Sequence, residues 1–125
     1  MHKALAAKEA LTLIDNVRDI DGSALIAASV TGADMDTLRE MTDVLRQRLG
    51  SAVIVLGSVW QEKPIFLAAV TPDLVKKGYH AGNIVKRLSQ IAGGGGGGKP
   101  NMAQGGGRDK SKLQQALDAV SEFIR

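Results

Sequence analysis

The apolar positions of the chain follow a helical period most clearly in the stretch ADMDTLREMTDVLRQRLG. Leu38, Met41, Leu45 and Leu49 recur on one face, as expected of an amphipathic helix that packs on a core. Aspartates lie at the start of this stretch and arginines in its last turn, so the charges of both signs complement the helix dipole. Gly50 is a residue type that commonly ends a helix, which predicts that the helix stops there.

Apolar runs on both sides of this helix predict strands. The Asp21-Gly22 pair lies between β-prone runs and predicts a two-residue hairpin with strands near 17–20 and 24–30. The run SAVIVLGSV after the helix is typical of a strand buried on both faces. A strand, helix and strand with short joints predict a parallel pair with a right-handed crossover. PIFLAAVT, beyond the polar turn WQEK, predicts a third long strand antiparallel to the second.

Four further segments have helical patterns. Residues 3–16 show heptad-like spacing over fewer than two heptads, which predicts the end of a longer helix. TPDLVKKG predicts a short helical turn, and HAGNIVKRLSQIA predicts a helix with Ile84, Leu88 and Ile91 facing inward. Asp109 is a good N-cap for a last helix. The predicted inner face of that helix consists of Leu113, Leu117, Val120 and Ile124.

Together these elements predict an α/β (α+β) fold. We expect a mixed sheet of about four to five strands with a βαβ crossover, helices packed on it, and a glycine-rich loop between the last two helices. Residues 1–16 are interpreted as the end of a linker or oligomerisation helix. Residues 17–125 are interpreted as one globular domain, large enough to bury about two-thirds of its unfolded surface.

The composition narrows the function classes. The chain has no cysteine and two histidines, which excludes disulfides and thiolate metal sites and argues against a structural zinc. Its longest apolar run, Ala52–Leu56, is too short to cross a bilayer, and its N-terminus lacks the apolar core of a secretory signal. We therefore expect a cytoplasmic protein without membrane contact.

The net charge of +3 is unevenly distributed. Residues 1–75 carry seven basic and ten acidic side chains, whereas residues 76–112 carry eight basic side chains and Asp109 as their single acid. An acidic first half and a basic, glycine-rich second half indicate an anionic partner for one face, although such runs are also common on plain solvated surfaces.

The stretch IAGGGGGGKPNMAQGGGRDK holds nine of the fifteen glycines. A glycine backbone can approach a phosphate closely, and successive free N–H groups can form an anion-binding nest, here with Lys99 and Arg108 at its margins. Gly93-x4-Gly98-Lys99 matches the opening of a P-loop, but Pro100 stands where a P-loop needs Ser or Thr. A helix also precedes the glycines, which argues against both NTPase and dinucleotide loops. A flexible linker is the remaining alternative, although linkers usually include serine or charge.

The segment HAGNIVKRLSQIAGGGGGGKPNMAQGGGRD resembles the C-terminal signature of bacterial alanyl-tRNA synthetases. The shared pattern is a His-Ala-Gly-Asn helix start, a long glycine run, a basic residue, Pro-Asp/Asn, an apolar residue, Ala-Gln and a second glycine cluster. Residues 17–75 are similar to the preceding sheet of that family. A related domain follows the catalytic domain of DHH phosphoesterases, which use a histidine after their glycines. Here Lys-Pro follows instead, which argues against a hydrolytic role or a nucleotide-sized ligand.

The resemblance implies a function for the domain. The family enzymes use ATP, with Mg and Zn as further cofactors, at sites outside these 125 residues, so we expect no catalytic residue, metal or cofactor in this chain. The C-terminal domain is implied to dock the outer corner of tRNA(Ala), which couples aminoacylation with editing. The preceding helices are implied to mediate a homodimer, and other domains of the synthetase are further implied partners. The alternative is a docking or oligomerisation domain without strong RNA binding of its own.

RNA contacts are expected on the basic, glycine-rich half, namely at Lys99, Arg108, Lys86, Arg87, Lys110, Lys112, His80, Asn83, Gln104, Gly95, Gly96, Gly97, Gly98 and Gly106. Four residues carry alternatives. His80 could cap or hydrogen-bond the loop instead, and Gln104 could pin the loop to its own backbone. Met102 is interpreted as a core residue, and Trp60 as a partly buried anchor rather than a base-stacking platform.

Overall fold

A computed structural model describes residues 17–20, 22–30 and 32–123. The helix expected in residues 1–16 and the position of Ile124 lie outside this range. The strands are β1 (Arg18–Ile20), β2 (Ser23–Val30), β3 (Ala52–Trp60), β4 (Lys63–Val70), β5 (Gly95–Gly98) and β6 (Met102–Gly106). The helices are α1 (Met35–Leu49), α2 (Pro72–Lys76), α3 (Ala81–Ile91) and α4 (Leu113–Phe123), the last preceded by a 3-10 turn over Lys110–Lys112.

The first half of the chain folds as its pattern predicts. Ile20 pairs with Ser23, so two residues join β1 to β2, and Gly22 has the positive φ of 86° that such a turn needs; Asp21 itself lies outside the described residues. β2 runs parallel to β3, with α1 as the connection, and β4 runs antiparallel to β3. Asp34 caps the start of α1, with its carboxylate accepting the N–H of Thr37 at 2.9 Å, and Gly50 caps its end.

The sheet separates two apolar cores. One side is covered by α1, with buried residues that include Leu38, Met41 and Leu45 against Ile54 and Leu67. The other side is covered by α2, α3 and α4, whose buried residues pack against alternate positions of the same strands. The predicted mixed fold with helices on a sheet is therefore confirmed, and the helices form a layer on each face.

The glycine-rich stretch differs from the expected loop. Gly95–Gly98 and Met102–Gly106 form a β-hairpin that completes a six-stranded sheet of order β1-β2-β3-β4-β6-β5. β6 pairs antiparallel with β4, and β5 forms the sheet edge. Glycine has a low strand propensity and no side chain to alternate, so this local sequence carries no strand signal. Pairing of β6 with β4, pairing of β5 with β6 and packing under α3 create these two strands.

The last helix follows its prediction where the structure describes it. The Asp109 carboxylate accepts the N–H of Ser111 at 3.0 Å and so caps the 3-10 turn that leads into α4. Leu117 and Val120 are buried, and Leu113 is partly buried. In α3, Ile84 and Leu88 are buried, whereas Ile91, predicted to face inward, is only partly buried.

Candidate nucleic-acid interface

One face of the glycine hairpin packs directly on α3. Gly96 and Gly105 are cross-strand partners, and a Cβ built on Gly105 would lie 2.5 Å from Ser89 Oγ and 2.7 Å from Val85 Cγ1. A Cβ on Gly96 would lie 2.5 Å from the Gly105 Cα and 3.0 Å from the same Ser89 oxygen. Real Cβ atoms do not approach other atoms this closely, so the helix can reach the strands only because these residues are glycines.

The opposite face of the hairpin is open above Gly95 and Gly97. Successive residues of a strand point to opposite faces, and cross-strand partners share a face, so Gly95, Gly97, Gln104 and Gly106 lie on the α1 side. We call these four residues the glycine platform. α1 packs over β3 and β4, and a Cβ built on Gly95 or Gly97 would meet no described atom within 4 Å. Packing explains Gly96 and Gly105 but gives no reason for glycine at position 95.

Gln104 connects the glycine platform to α1. Its side-chain oxygen accepts a hydrogen bond from the Arg39 guanidinium, which also lies 3.6 Å from the Asp36 carboxylate. Neither sequence alternative for Gln104 included this contact, because residues 39 and 104 are brought together only by the sheet order. The contact is solvent-exposed, so it orients the amide more than it stabilises the fold.

The tip of the hairpin occupies the N-terminus of α3. Ala81 N–H donates to Pro100 O at 2.8 Å, and Gly82 N–H donates to Lys99 O at 3.2 Å. His80 acts as the cap, since its Nδ1 accepts the N–H of Asn83 at 3.1 Å. The capping role was one of the two expectations for His80. The side chains of Asn83 and Lys99 are exposed beside this tip.

The expected nest of free backbone N–H groups is not formed at the margins of the hairpin. Lys99 N–H donates to Met102 O at 2.9 Å, and Arg108 N–H donates to Ala92 O at 2.9 Å. Alternate β5 amides face β6, as in any antiparallel ladder. What this hairpin offers a ligand is therefore a flat surface, with Gln104 as its one side chain in the glycine platform, rather than a concave ring of amides.

The basic residues that were predicted to contact RNA lie in three separate places. By strand alternation, Lys99 continues the face of the glycine platform, beyond the tip end of β5. Lys86 and Arg87 are exposed on α3, in the layer behind the opposite face of the sheet. The remaining three, Arg108, Lys110 and Lys112, follow β6 at the end of the sheet away from Lys99. No single surface of the described residues contains all of them.

The β3–β4 turn lies at that second end. Lys110 forms an ion pair with Glu62 of the turn, and this hydrogen-bonded ammonium holds the pKa of the Glu62 carboxyl below its usual value. Gly107 N–H donates to Pro64 O at 3.0 Å, which ties the end of β6 to β4. Hydrogen bonds from Ser111 likewise lower the pKa of Asp109.

Trp60, which we expected to be a partly buried anchor, closes the same turn. Its side chain is 42% exposed. Trp60 and Lys63 are cross-strand partners around Gln61 and Glu62, which both have positive φ, 52° and 68°. Non-glycine residues rarely adopt this conformation. The sequence WQEK therefore predicts a polar turn but does not indicate that this turn presents the Trp60 ring to solvent.

Met102 was interpreted from the sequence as a core residue and not as part of a binding site. Met102 is partly buried against the α1-side core, as expected of a core residue. Within the described residues, no group of His, Asp and Glu has the arrangement of a metal site. None of the helices that the structure describes is long and apolar enough to cross a bilayer.

Comparisons with known proteins show what this chain is similar to. Residues 21–125 match the family model of the DHHA1 domain. The chain is 60% identical to alanine–tRNA ligase from Dehalococcoides mccartyi over 99% of its length and 47% identical to the Bacillus subtilis protein over 94%. It spans only 14% of the length of the first of these relatives and 13% of the second.

The solved structures show the same fold. The C-Ala domain of alanyl-tRNA synthetase from Aquifex aeolicus superimposes with a TM-score of 0.75 and 26% identity, covering 86% of this chain and 96% of that domain. A DHH-domain protein assigned to a family of ribosomal proteins has a TM-score of 0.61 at 14% identity, covering 94% of this chain and 30% of that one. This second likeness concerns the fold alone.

Proposed function

The chain belongs to the DHHA1 domain family, and we propose that it serves as the tRNA-binding C-terminal domain of an alanyl-tRNA synthetase. In this role it docks the outer corner of tRNA(Ala) and holds the tRNA while aminoacylation and editing act at sites elsewhere in the enzyme. The similarity to alanine–tRNA ligases over nearly the whole chain supports the choice of enzyme. The glycine platform supports the choice of ligand.

The observation that carries the proposal is the open space above Gly95. A Cβ there would meet no described atom within 4 Å, and its backbone does not have a left-handed φ, so the fold itself would accept a side chain. A glycine that the fold does not need is explained by a ligand that approaches the backbone closely. Sugar–phosphate backbone and 2′-hydroxyl groups are recognised at such short range, largely through shape.

The positions of the cations support phosphate contacts at the ends of the platform. Lys99 lies at one end, and it forms no ion pair with any residue that the structure describes. Arg39 flanks the middle through Gln104, and Lys63 lies beside Ile65 toward the other end. Cations spaced along a flat surface suit successive phosphates, which give affinity and position rather than sequence specificity. Lys86 and Arg87, behind the opposite face, are left outside this surface.

A titration of the 125-residue chain with whole tRNA(Ala) and with its acceptor-stem minihelix, each at two salt concentrations, tests the proposal. We expect tighter binding of the whole tRNA and a steep decrease of affinity with salt, because phosphate contacts release counterions. Equal, weak binding of both RNAs would contradict it and would favour a domain that docks within the synthetase.

Two matched variants test the surface itself. Lys99→Ala should weaken tRNA binding and reduce the salt slope by about 1, whereas Lys86→Ala, at a lysine that is also exposed but lies on α3, should change neither. Gly95→Ala should weaken binding without loss of thermal stability. If Lys86→Ala has the larger effect, the interface lies on α3 and the platform is not the site.

A further inference from the structure

Trp60 lies on the same side of the sheet as the glycine platform. Ile65 packs in the α1-side core and pairs with Gly106, and two residues earlier Lys63 pairs with Trp60, so alternation places both on that side. Among the residues that the structure describes, Trp60 is the one large apolar side chain that is exposed. A single exposed ring is not an apolar patch of the size that marks a protein interface.

The turn that carries Trp60 is fixed from several directions. Gln61 and Glu62 hold left-handed backbone angles, and Glu62 is joined to Lys110 by an ion pair. A hydrogen bond from the Gly107 N–H to Pro64 O joins β4, the strand after the turn, to the end of the glycine hairpin. The ring is therefore presented by an anchored turn and not by a loose loop.

Trp60 has a cation, Lys63, as its cross-strand partner on the same side of the sheet. The basic residues at this end of the sheet are Lys63, Arg108, Lys110 and Lys112. The carboxylates here have partners within the chain: Glu62 is bound by Lys110, Asp109 by Ser111, and Asp36 at the start of α1 by Arg39. An exposed aromatic face beside a lysine suits a nucleobase with a flanking phosphate better than an apolar protein surface.

We infer that Trp60 stacks on an unpaired nucleobase of the bound RNA, while Lys63 contacts a phosphate next to that base. This inference rests on the proposed function and extends its surface from the glycine platform to the β3–β4 turn. It assigns the turn a role different from that of Lys99, since stacking requires a base and the lysines require only phosphate. Unpaired bases in loops are the parts of RNA that aromatic side chains reach.

Because Trp60 is the single tryptophan of the chain, its fluorescence reports on this contact directly. The chain is titrated with tRNA(Ala) and with heparin, a polyanion without bases, and binding is measured in parallel by gel shift. We expect tRNA to quench Trp60 and heparin to bind with little quenching. Trp60→Leu should weaken tRNA binding about tenfold and leave heparin binding unchanged, while Trp60→Phe should retain most of the affinity.

The outcomes separate this inference from the proposed function. Normal, salt-dependent tRNA binding with unchanged fluorescence and an unaffected Trp60→Leu variant would overturn the stacking and leave the tRNA-binding role intact. Failure of tRNA to bind at all would overturn both. An equal loss of tRNA and heparin binding in Trp60→Leu would also overturn stacking, as would a concentration-dependent mass of the native chain that Trp60→Leu abolishes, because Trp60 would then contact protein.

Discussion

The Arg39 guanidinium in α1 donates a hydrogen bond to the side-chain oxygen of Gln104 in β6. These residues are 65 positions apart in the chain, and their contact joins the helix that covers one half of the sheet to the open platform on the other half. Arg39 is thereby held at the border between the covered and the uncovered part of the α1 face. A cation fixed there faces the surface on which we place the RNA.

This contact should contribute little to stability. We expect Arg39→Ala and Gln104→Ala each to change the free energy of unfolding by less than about 1 kcal/mol, because both side chains are exposed and the bond competes with water. A double-mutant cycle by urea unfolding measures the coupling, which should also stay below about 1 kcal/mol. A coupling of about 2 kcal/mol or more would show that the contact is structural.

The two faces of the glycine hairpin should respond oppositely to an added methyl group. Gly105→Ala places a Cβ 2.5 Å from Ser89 Oγ and should destabilise the domain by about 1–3 kcal/mol, as overpacking does. Gly95→Ala meets open space and should leave stability unchanged or raise it by up to about 1 kcal/mol, since alanine reduces the entropy of the unfolded chain. Thermal unfolding of both variants checks this. Equal losses would mean that both faces are packed.

The hydroxyl of Ser89 should be dispensable for folding. It is buried without a hydrogen-bond partner among the described residues, so Ser89→Ala removes a polar group that is costly to bury. We expect stability to stay equal or to rise, and we expect Ser89→Ala to recover part of the loss caused by Gly105→Ala. The recovery should be partial, because Val85 Cγ1 also lies 2.7 Å from the added Cβ. Clear destabilisation by Ser89→Ala would contradict this account.

The cap at the start of α3 gives a fourth stability test. His80→Ala removes the acceptor for the Asn83 N–H and should cost about 1 kcal/mol, whereas His80→Asn supplies another good cap and should cost less. Urea unfolding at neutral pH distinguishes the two variants. If both variants lose stability equally, the histidine ring contributes something other than its cap.

Acid should weaken the attachment of the β3–β4 turn. The pKa of Glu62 is lower in the folded chain than its usual 4.5, chiefly through its hydrogen bond with Lys110. Its contribution is therefore present above that value and is lost as the pH falls through the lower, folded pKa. Trp60 fluorescence followed from neutral to acidic pH should change below about 4.5, and less so in Glu62→Gln. Identical curves for the two proteins would show that the ion pair does not hold the turn.

Local signals were sufficient for the first half of the fold. Leu38, Met41 and Leu45 repeat at helical spacing and are all fully buried in α1. Gly22 and Gly50 stand where the chain needs positive φ, and both carry it. Each of these features depends on residues a few positions apart, so the pattern along the chain contains the information.

The sequence alone predicted only part of the candidate site. The glycine-rich signature indicated the family and the segment, and the cap by His80 was among the expectations. The sequence did not indicate Arg39, Lys63 or Trp60 as neighbours of the glycines. The count of charges along the chain also put Lys99 and Lys86 in one basic segment, although in the fold they lie on opposite sides of the sheet. Which cations share a face depends on strand order and on the parity of each position, and both are set by distant pairing.

The sequence by itself determined the order of the helices and strands through β4, the caps and the family signature, because periodicity, turn residues and caps act over short distances. Only the tertiary structure decided that the glycines become the two strands β5 and β6. Glycine has no local preference for a strand, so β4 on one side and α3 above had to impose it. In the same packing, Gly105 lies directly against α3, whereas Gly95 is left uncovered, so that a ligand can approach it.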